Sequence, residues 1–236
     1  MNSRTGKLIV AFGEGEGEEL ALPTLIKRVL RESVVTGESS SDIHIEPRAW
    51  RVGHLEKLRK DNGQYWKDKL RSAYQKRASA VLLLLDGDRP SNLGTPPYCT
   101  GTVARQLANL ARDVGAGNVF SVAVVIARRE MESWFIAGVN SLKGVRDGNG
   151  LLLGESSEAP DDDLESSPRD AKGWLNRNMP SGYKPTADQV RLAQRVDLTL
   201  IRNRKLRSFR RFENAVIEIR NALDSGRQFA TPGTER

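Results

Sequence analysis

An α/β fold on a mainly parallel sheet is predicted by two features of this 236-residue sequence. Continuous apolar runs recur at residues 7–12, 80–85 and 119–127, and stretches with helical apolar spacing separate them. Unbroken apolar runs mark strands covered on both faces, and strands alternating with helices join as right-handed βαβ units.

The elements follow in order. The first strand, residues 7–12, leads into a glycine-rich acidic turn, Gly13-Glu14-Gly15-Glu16-Gly17-Glu18. Leu20, Leu22, Leu25, Ile26 and Leu30 then recur at helical spacing, with Pro23 tolerable only in a first turn. Residues 43–46 read as a short second strand, and 65–77 as an amphipathic helix carrying Trp66, Leu70 and Tyr74. Residues 80–85 form the clearest buried strand, stopped by Asp86-Gly87-Asp88-Arg89-Pro90. A helix over 102–114 presents Val103, Leu107, Leu110 and Val114, and the strand at 119–127 ends at Arg128-Arg129-Glu130. Residues 1–140 thus form an α/β unit. Residues 141–236 begin with an acidic loop at 148–168, followed by expected helices at 170–178, 186–200 and 208–224, all packed on that unit. The tail from Ser225 is expected to fray.

Composition excludes several classes. One cysteine, Cys99, rules out a disulfide framework and a Cys-rich zinc site. His44 and His54 leave no spare pair for a histidine metal centre; His44 reads as a sheet-surface residue and His54 has no evident partner. No apolar run approaches a membrane span, and residues 1–7 enter the first strand without a signal-peptide core, so a cytoplasmic protein is expected. The formal charge of +7 is modest but unevenly placed. The surplus lies between Arg191 and Arg227, while acidic residues cluster elsewhere.

Those acidic clusters fall at strand ends: Glu14, Glu16 and Glu18; Asp86 and Asp88; Glu130 and Glu132. Ligands of open parallel sheets bind beyond the carboxyl ends of the strands. Carboxylates gathered at one edge repel one another unless a cation compensates, and oxygen ligands suit Mg²⁺ or Mn²⁺. Each cluster also has a plain structural reading. Glu18 favours a helix N-terminus, Asp-Gly-Asp is ordinary turn chemistry, and Glu130 and Glu132 can pair with Arg128 and Arg129. Their recurrence at one edge favours a metal site. The glycines of residues 13–17 do not make a dinucleotide fingerprint, because its third glycine falls at Glu18, and no Walker A string occurs.

A strand followed by Glu14-Gly15, and another ending in Asp86-Gly87-Asp88, resembles the Toprim fold of topoisomerases, primases and overcoming-lysogenization-defect nucleases. Gly13 departs from that pattern, which more usually has an apolar residue before the glutamate. A closer resemblance, over nearly the whole chain, is to the bacterial domain of unknown function 4276 family, itself Toprim-like. It is carried by residues 14–18 with Ala21-Leu22-Pro23, Leu85-Asp86-Gly87-Asp88, residues 129–135, and Asp170-Ala171-Lys172. Tyr183-Lys184-Pro185-Thr186 with Gln189, and residues 208–212, complete it. The resemblance implies a nuclease effector beside an ABC- or SMC-like ATPase in anti-phage defence.

The expected mechanism is metal-dependent phosphodiester hydrolysis. Glu14, Asp86 and Asp88 would hold one ion, with Glu18 and Glu130 or Glu132 supporting a second. Lys172 or Arg129 would neutralise charge developing on phosphate. Arg207, Arg210 and Arg211, with Arg129 and Lys184, are expected to contact a DNA or RNA backbone. Phe209 and Phe212, three apart, read more readily as core than as stacking platforms, as do Trp134, Phe135 and Trp174. Two alternatives remain: a non-catalytic subunit of an ATPase complex, and a metal-dependent phosphoesterase acting on small molecules.

Overall fold

A computed structural model describes residues 7–33, 42–87, 99–161, 163–165 and 170–233. The chain runs β1 (Lys7–Gly13), α1 (Glu18–Glu32), β2 (Ile43–Ile45), β3 (Trp50–Arg51), α2 (Leu55–Gln75), β4 (Ala78–Asp86), α3 (Thr100–Arg112), β5 (Ser121–Ala127) and α4 (Glu132–Ala137). After a 3₁₀ turn at Val139–Ser141 come β6 (Arg146–Asp147), β7 (Gly150–Leu151), α5 (Ala171–Asn178), α6 (Pro185–Arg195), α7 (Leu198–Asn203), α8 (Arg207–Ser225) and β8 (Ala230–Thr231).

The main sheet has the order β2-β1-β4-β5-β8, with β3 pairing beyond β2 on the same edge of β1. Every pairing in it is parallel. Successive side chains of a strand point to opposite faces. Ile9, Ala11, Leu82, Leu84 and Val125 therefore pack against α1 and α4 to α8, and Val10, Phe12, Leu83, Leu85 and Val124 against α2 and α3. Burial of both faces is the physical reason the strand sequences are continuously apolar. The predicted α/β architecture, a mainly parallel sheet flanked by helices with further helices after it, is what forms. No helix among the described residues is long and apolar enough to cross a membrane.

Several expectations need correction. Pro23 lies in the second turn of α1, not the first. A proline there has no N–H to donate to the carbonyl of Glu19, and the Ala49 N–H takes that carbonyl instead, at 2.7 Å. The helix expected over 65–77 is present; α2 is two helical segments parted by a non-helical kink at Lys60–Gly63, where Asp61, Asn62 and Gly63 have positive φ, and the short segment before the kink adds to it. The helix expected over 186–200 is two helices. Val196 is extended, and Asp197 caps α7 by accepting the Thr199 N–H at 2.7 Å. The described part of the tail, to residue 233, is ordered onto the sheet: β8 adds to it, with Val122 N–H donating to the Phe229 carbonyl at 2.8 Å.

A small hairpin, β6–β7, leads into the acidic loop and is fastened by a buried arginine. Arg191 donates to both oxygens of Asp147, at 2.9 and 2.8 Å, and to Asp188 at 2.6 Å. Phe209 and Phe212 are core residues, with ring centroids 5.3 and 5.2 Å from that of Trp134. Phe135 and Trp174 are buried as expected.

Candidate active site at the carboxyl edge of the sheet

Because β1, β4 and β5 are adjacent and parallel, the residues that follow them emerge at one edge. Asp86 closes β4 opposite Ala127, Glu14 follows β1, and Glu130 lies three residues beyond β5. Two local features bring the loops close. A Cβ at Gly87 would collide with the Ala127 carbonyl oxygen, and Arg129 turns the chain with a φ of 73°. Gly13 answers to a similar constraint. A Cβ there would lie 2.6 Å from Glu18 Cβ, so an apolar side chain would push the start of α1 off the strand.

Lys172, from the first turn of α5, sits among the carboxylates. Its Nζ lies 3.3 Å from Asp86 Oδ2, 3.0 Å from Glu130 Oε1 and 3.9 Å from Glu132 Oε1. Each carboxylate is anchored independently. Asp86 Oδ1 accepts the Met131 N–H at 3.0 Å, and Glu130 Oε2 accepts the Ala171 and Lys172 N–H groups at 2.9 and 3.3 Å. Fully buried Glu132 accepts at Oε1 from the Tyr183 hydroxyl and from Gln189 Nε2, both at 2.8 Å. Glu14 Oε2 accepts the Asp86 N–H at 3.3 Å, and its Oε1 lies 2.6 Å from His54 Nδ1. Buried Glu18 accepts the Gly15 N–H at 2.8 Å.

Burial raises Asp86 well above the usual carboxylate range; Glu132, Glu18 and Glu14 add to this and Lys172 opposes it. Glu132 is raised by burial and by Glu130, against Lys172 and its two hydrogen bonds. Burial would lower the Lys172 ammonium, but Glu132, Asp86 and Glu130 outweigh it, so lysine stays protonated. Burial and Glu132 likewise hold Tyr183 as the neutral phenol, a donor.

The model of a domain of unknown function, DUF4276, matches residues 13–217. The chain belongs to that family. No curated protein and no solved structure matches it.

In this DUF4276 member the edge gathers Glu14, Glu18, Asp86, Glu130, Glu132 and Lys172. Asp88 lies outside the described residues. Glu16 is exposed and pairs with Arg51 at 2.5 Å, away from the cluster. Glu130 and Glu132 face Lys172, not Arg128 and Arg129. The expected nucleic-acid contacts are dispersed. Lys184 is exposed at the start of α6, Arg129 is half-buried, Arg207 and Arg210 are exposed on α8, and Arg211 pairs with Glu218 at 3.0 Å.

The donor chemistry suits a hard divalent cation: all the donors are carboxylate oxygens, and Glu132 Oε2 is buried without a hydrogen-bond partner. The arrangement suits an ammonium, and among the described residues no three His, Cys, Asp or Glu side chains are grouped to hold a metal. In the sequence Tyr183 and Gln189 carry no sign of a role at the site, and His54 has no evident partner. All three come from elements far from their partners along the chain, so no local spacing announces them.

Proposed function

We propose that this chain is a divalent-metal-dependent nuclease of Toprim type, hydrolysing phosphodiester bonds of DNA or RNA. The observation that carries the reading is the convergence of Glu14, Asp86, Glu130 and Glu132 with Lys172 beyond three adjacent parallel strands. Glu14 and Asp86, with Asp88 from the sequence pattern, would hold Mg²⁺ or Mn²⁺. Such a cation supplies Lewis acidity and a water acidic enough to ionise near neutral pH. Glu18 and Glu132 each give one oxygen to Gly15 or to Tyr183 and Gln189, and the unpartnered Glu132 Oε2, with Glu18, would support a second ion. Lys172, held by Glu130 and Glu132, offers its ammonium to negative charge developing on the phosphate. His54 keeps Glu14 oriented. The exposed arginines at the start of α8 follow the strand, and an ABC- or SMC-like ATPase partner in anti-phage defence rests on the family resemblance.

One observation favours a second reading. Lys172 already neutralises part of the cluster, so the same carboxylates can serve as internal scaffolding of a non-catalytic subunit. The test is incubation of the full chain, with Mg²⁺ or Mn²⁺, with plasmid, single-stranded DNA, transfer RNA and free nucleotides. Cleavage of a polymer that is lost in Asp86→Asn and Glu14→Gln supports the nuclease; unchanged cleavage in both variants removes the site. Hydrolysis of free nucleotides alone favours the small-molecule phosphoesterase. No hydrolysis, with stable co-purification of an ATPase, favours the scaffold.

A further inference from the structure

A cavity of about 550 Å³ opens at the far edge of β5, between α3 and α8. It arises because β8 is short. β8 pairs only with Val122 and Ala123, whereas β5 continues to Ala127. Val122 donates its N–H towards the β8 side, and the period of a strand turns the backbone groups of Val124 and Ile126 the same way. Both residues line the cavity, past the point where β8 ends. The Ala123–Thr231 register occupies the Val124 N–H with the Thr231 carbonyl, and the Val124 carbonyl and both backbone groups of Ile126 lie beyond the β8 pairing. Ala104 and Pro232 complete an apolar floor.

The rim is cationic. Arg128 follows β5, and Arg207 and Arg211 stand on the first turns of α8. Arg211 is fixed by Glu218 at 3.0 Å and by the Thr231 hydroxyl at 2.6 Å. Exposed Arg128 and Arg207 have no ion-pair partner among the described residues. The one carboxylate on the wall, Glu165, accepts the Ser208 N–H at 2.6 Å and so caps α8. Two uncommitted guanidiniums beside an apolar floor with open backbone donors and acceptors suit one ligand class, a flat polar-edged ring bearing phosphate.

We propose that this cavity binds a nucleotide, its phosphate on Arg128 and Arg207 and its base against the open edge of β5. The nucleotide is either free or the phosphorylated 5′ end of a strand, and the recognition chemistry is common to both. The cavity shares Arg207 with the strand contact proposed above but holds none of the edge carboxylates, so binding here is tested apart from cleavage.

The test is calorimetric titration of the full chain, without divalent metal, with the four nucleoside monophosphates, the matching nucleosides, inorganic phosphate, and oligonucleotides with 5′-phosphate or 5′-hydroxyl ends. Saturable binding of a nucleotide, at least tenfold tighter than its nucleoside, is expected, with at least a tenfold loss in Arg128→Ala/Arg207→Ala. Both arginines are exposed, and circular dichroism checks that the variant folds. A preference for mononucleotides identifies a free ligand, and a preference for the 5′-phosphorylated strand identifies a strand end; either supports the proposal. Equal binding of nucleoside and nucleotide, binding of inorganic phosphate alone, undiminished binding by the double variant, or no binding of any probe overturns it. Cleavage is not needed for any of these readouts, so loss of the nuclease reading leaves them intact.

Discussion

Lys172 and Asp147 show how single charges hold this molecule. Lys172 brings its ammonium to three carboxylates, yet its side chain is 40% exposed, so water screens part of the interaction. Lys172→Met is expected to lower stability by about 1–2 kcal/mol, nearer an exposed than a buried pair, as read by urea denaturation. Asp147 gives a cleaner pH signature. The Arg191 hydrogen bonds hold its carboxyl down at about 2. A depressed folded value stabilises the fold above the unfolded carboxylate range, and that stability fades as pH falls towards 2. Its size is on the order of 1–2 kcal/mol, and Asp147→Asn should flatten denaturation midpoints over that window. At this scale Glu14, Asp86 and Glu130 were legible, because a strand end declares itself in sequence. His54, Tyr183 and Gln189 were not. Their partners lie 40, 51 and 57 residues away, and only the fold closes those distances.

Elements were legible where periodicity was unbroken, and missed where a side interaction overrode a local rule. The segment of α2 before the kink at 60–63 is too short to show a helical period, and α6 runs into α7 because the apolar spacing continues through Val196 and Leu198. Pro23 shows the converse, a helix breaker tolerated because a loop amide fills the vacant hydrogen bond. Two substitutions probe how elements aim the site. Asp170 caps α5 through the Gly173 N–H at 2.7 Å, and that helix presents Lys172. Asp170→Ala is expected to cost about 1 kcal/mol, seen as a lower melting temperature. Gly13→Ala, with its Cβ pressed on Glu18, should cost about 1–3 kcal/mol. It should also weaken any Mn²⁺-dependent cleavage, since Glu14 follows directly; wild-type stability and rate would show that the close contact does not matter.

Over the whole molecule, one face of the sheet is buried by residues drawn from both halves of the sequence. Ile9 and Leu82 share a cluster with Leu192, Phe209 and Ile219. A chain cut after residue 140 would leave these strand faces in water and is expected to aggregate or resist protease poorly, as limited proteolysis would show. The alternation of strand and helix made this architecture readable in advance. The joint core did not announce itself, because sequence marks which residues avoid water but not which distant residue each one meets.

The shortness of β8 also governs how the molecule must come into being. Strand β5 ends at Ala127, and the residues that cover its outer edge begin at Ala230. A ribosome therefore delivers the sheet's last strand long after its neighbour, and the nascent chain carries a bare, apolar strand edge through most of that interval. Bare edges recruit other chains. The loosely covered end of β5 is thus a hazard during synthesis as well as an opening in the finished protein, and its flanking arginines discourage a second strand by charge.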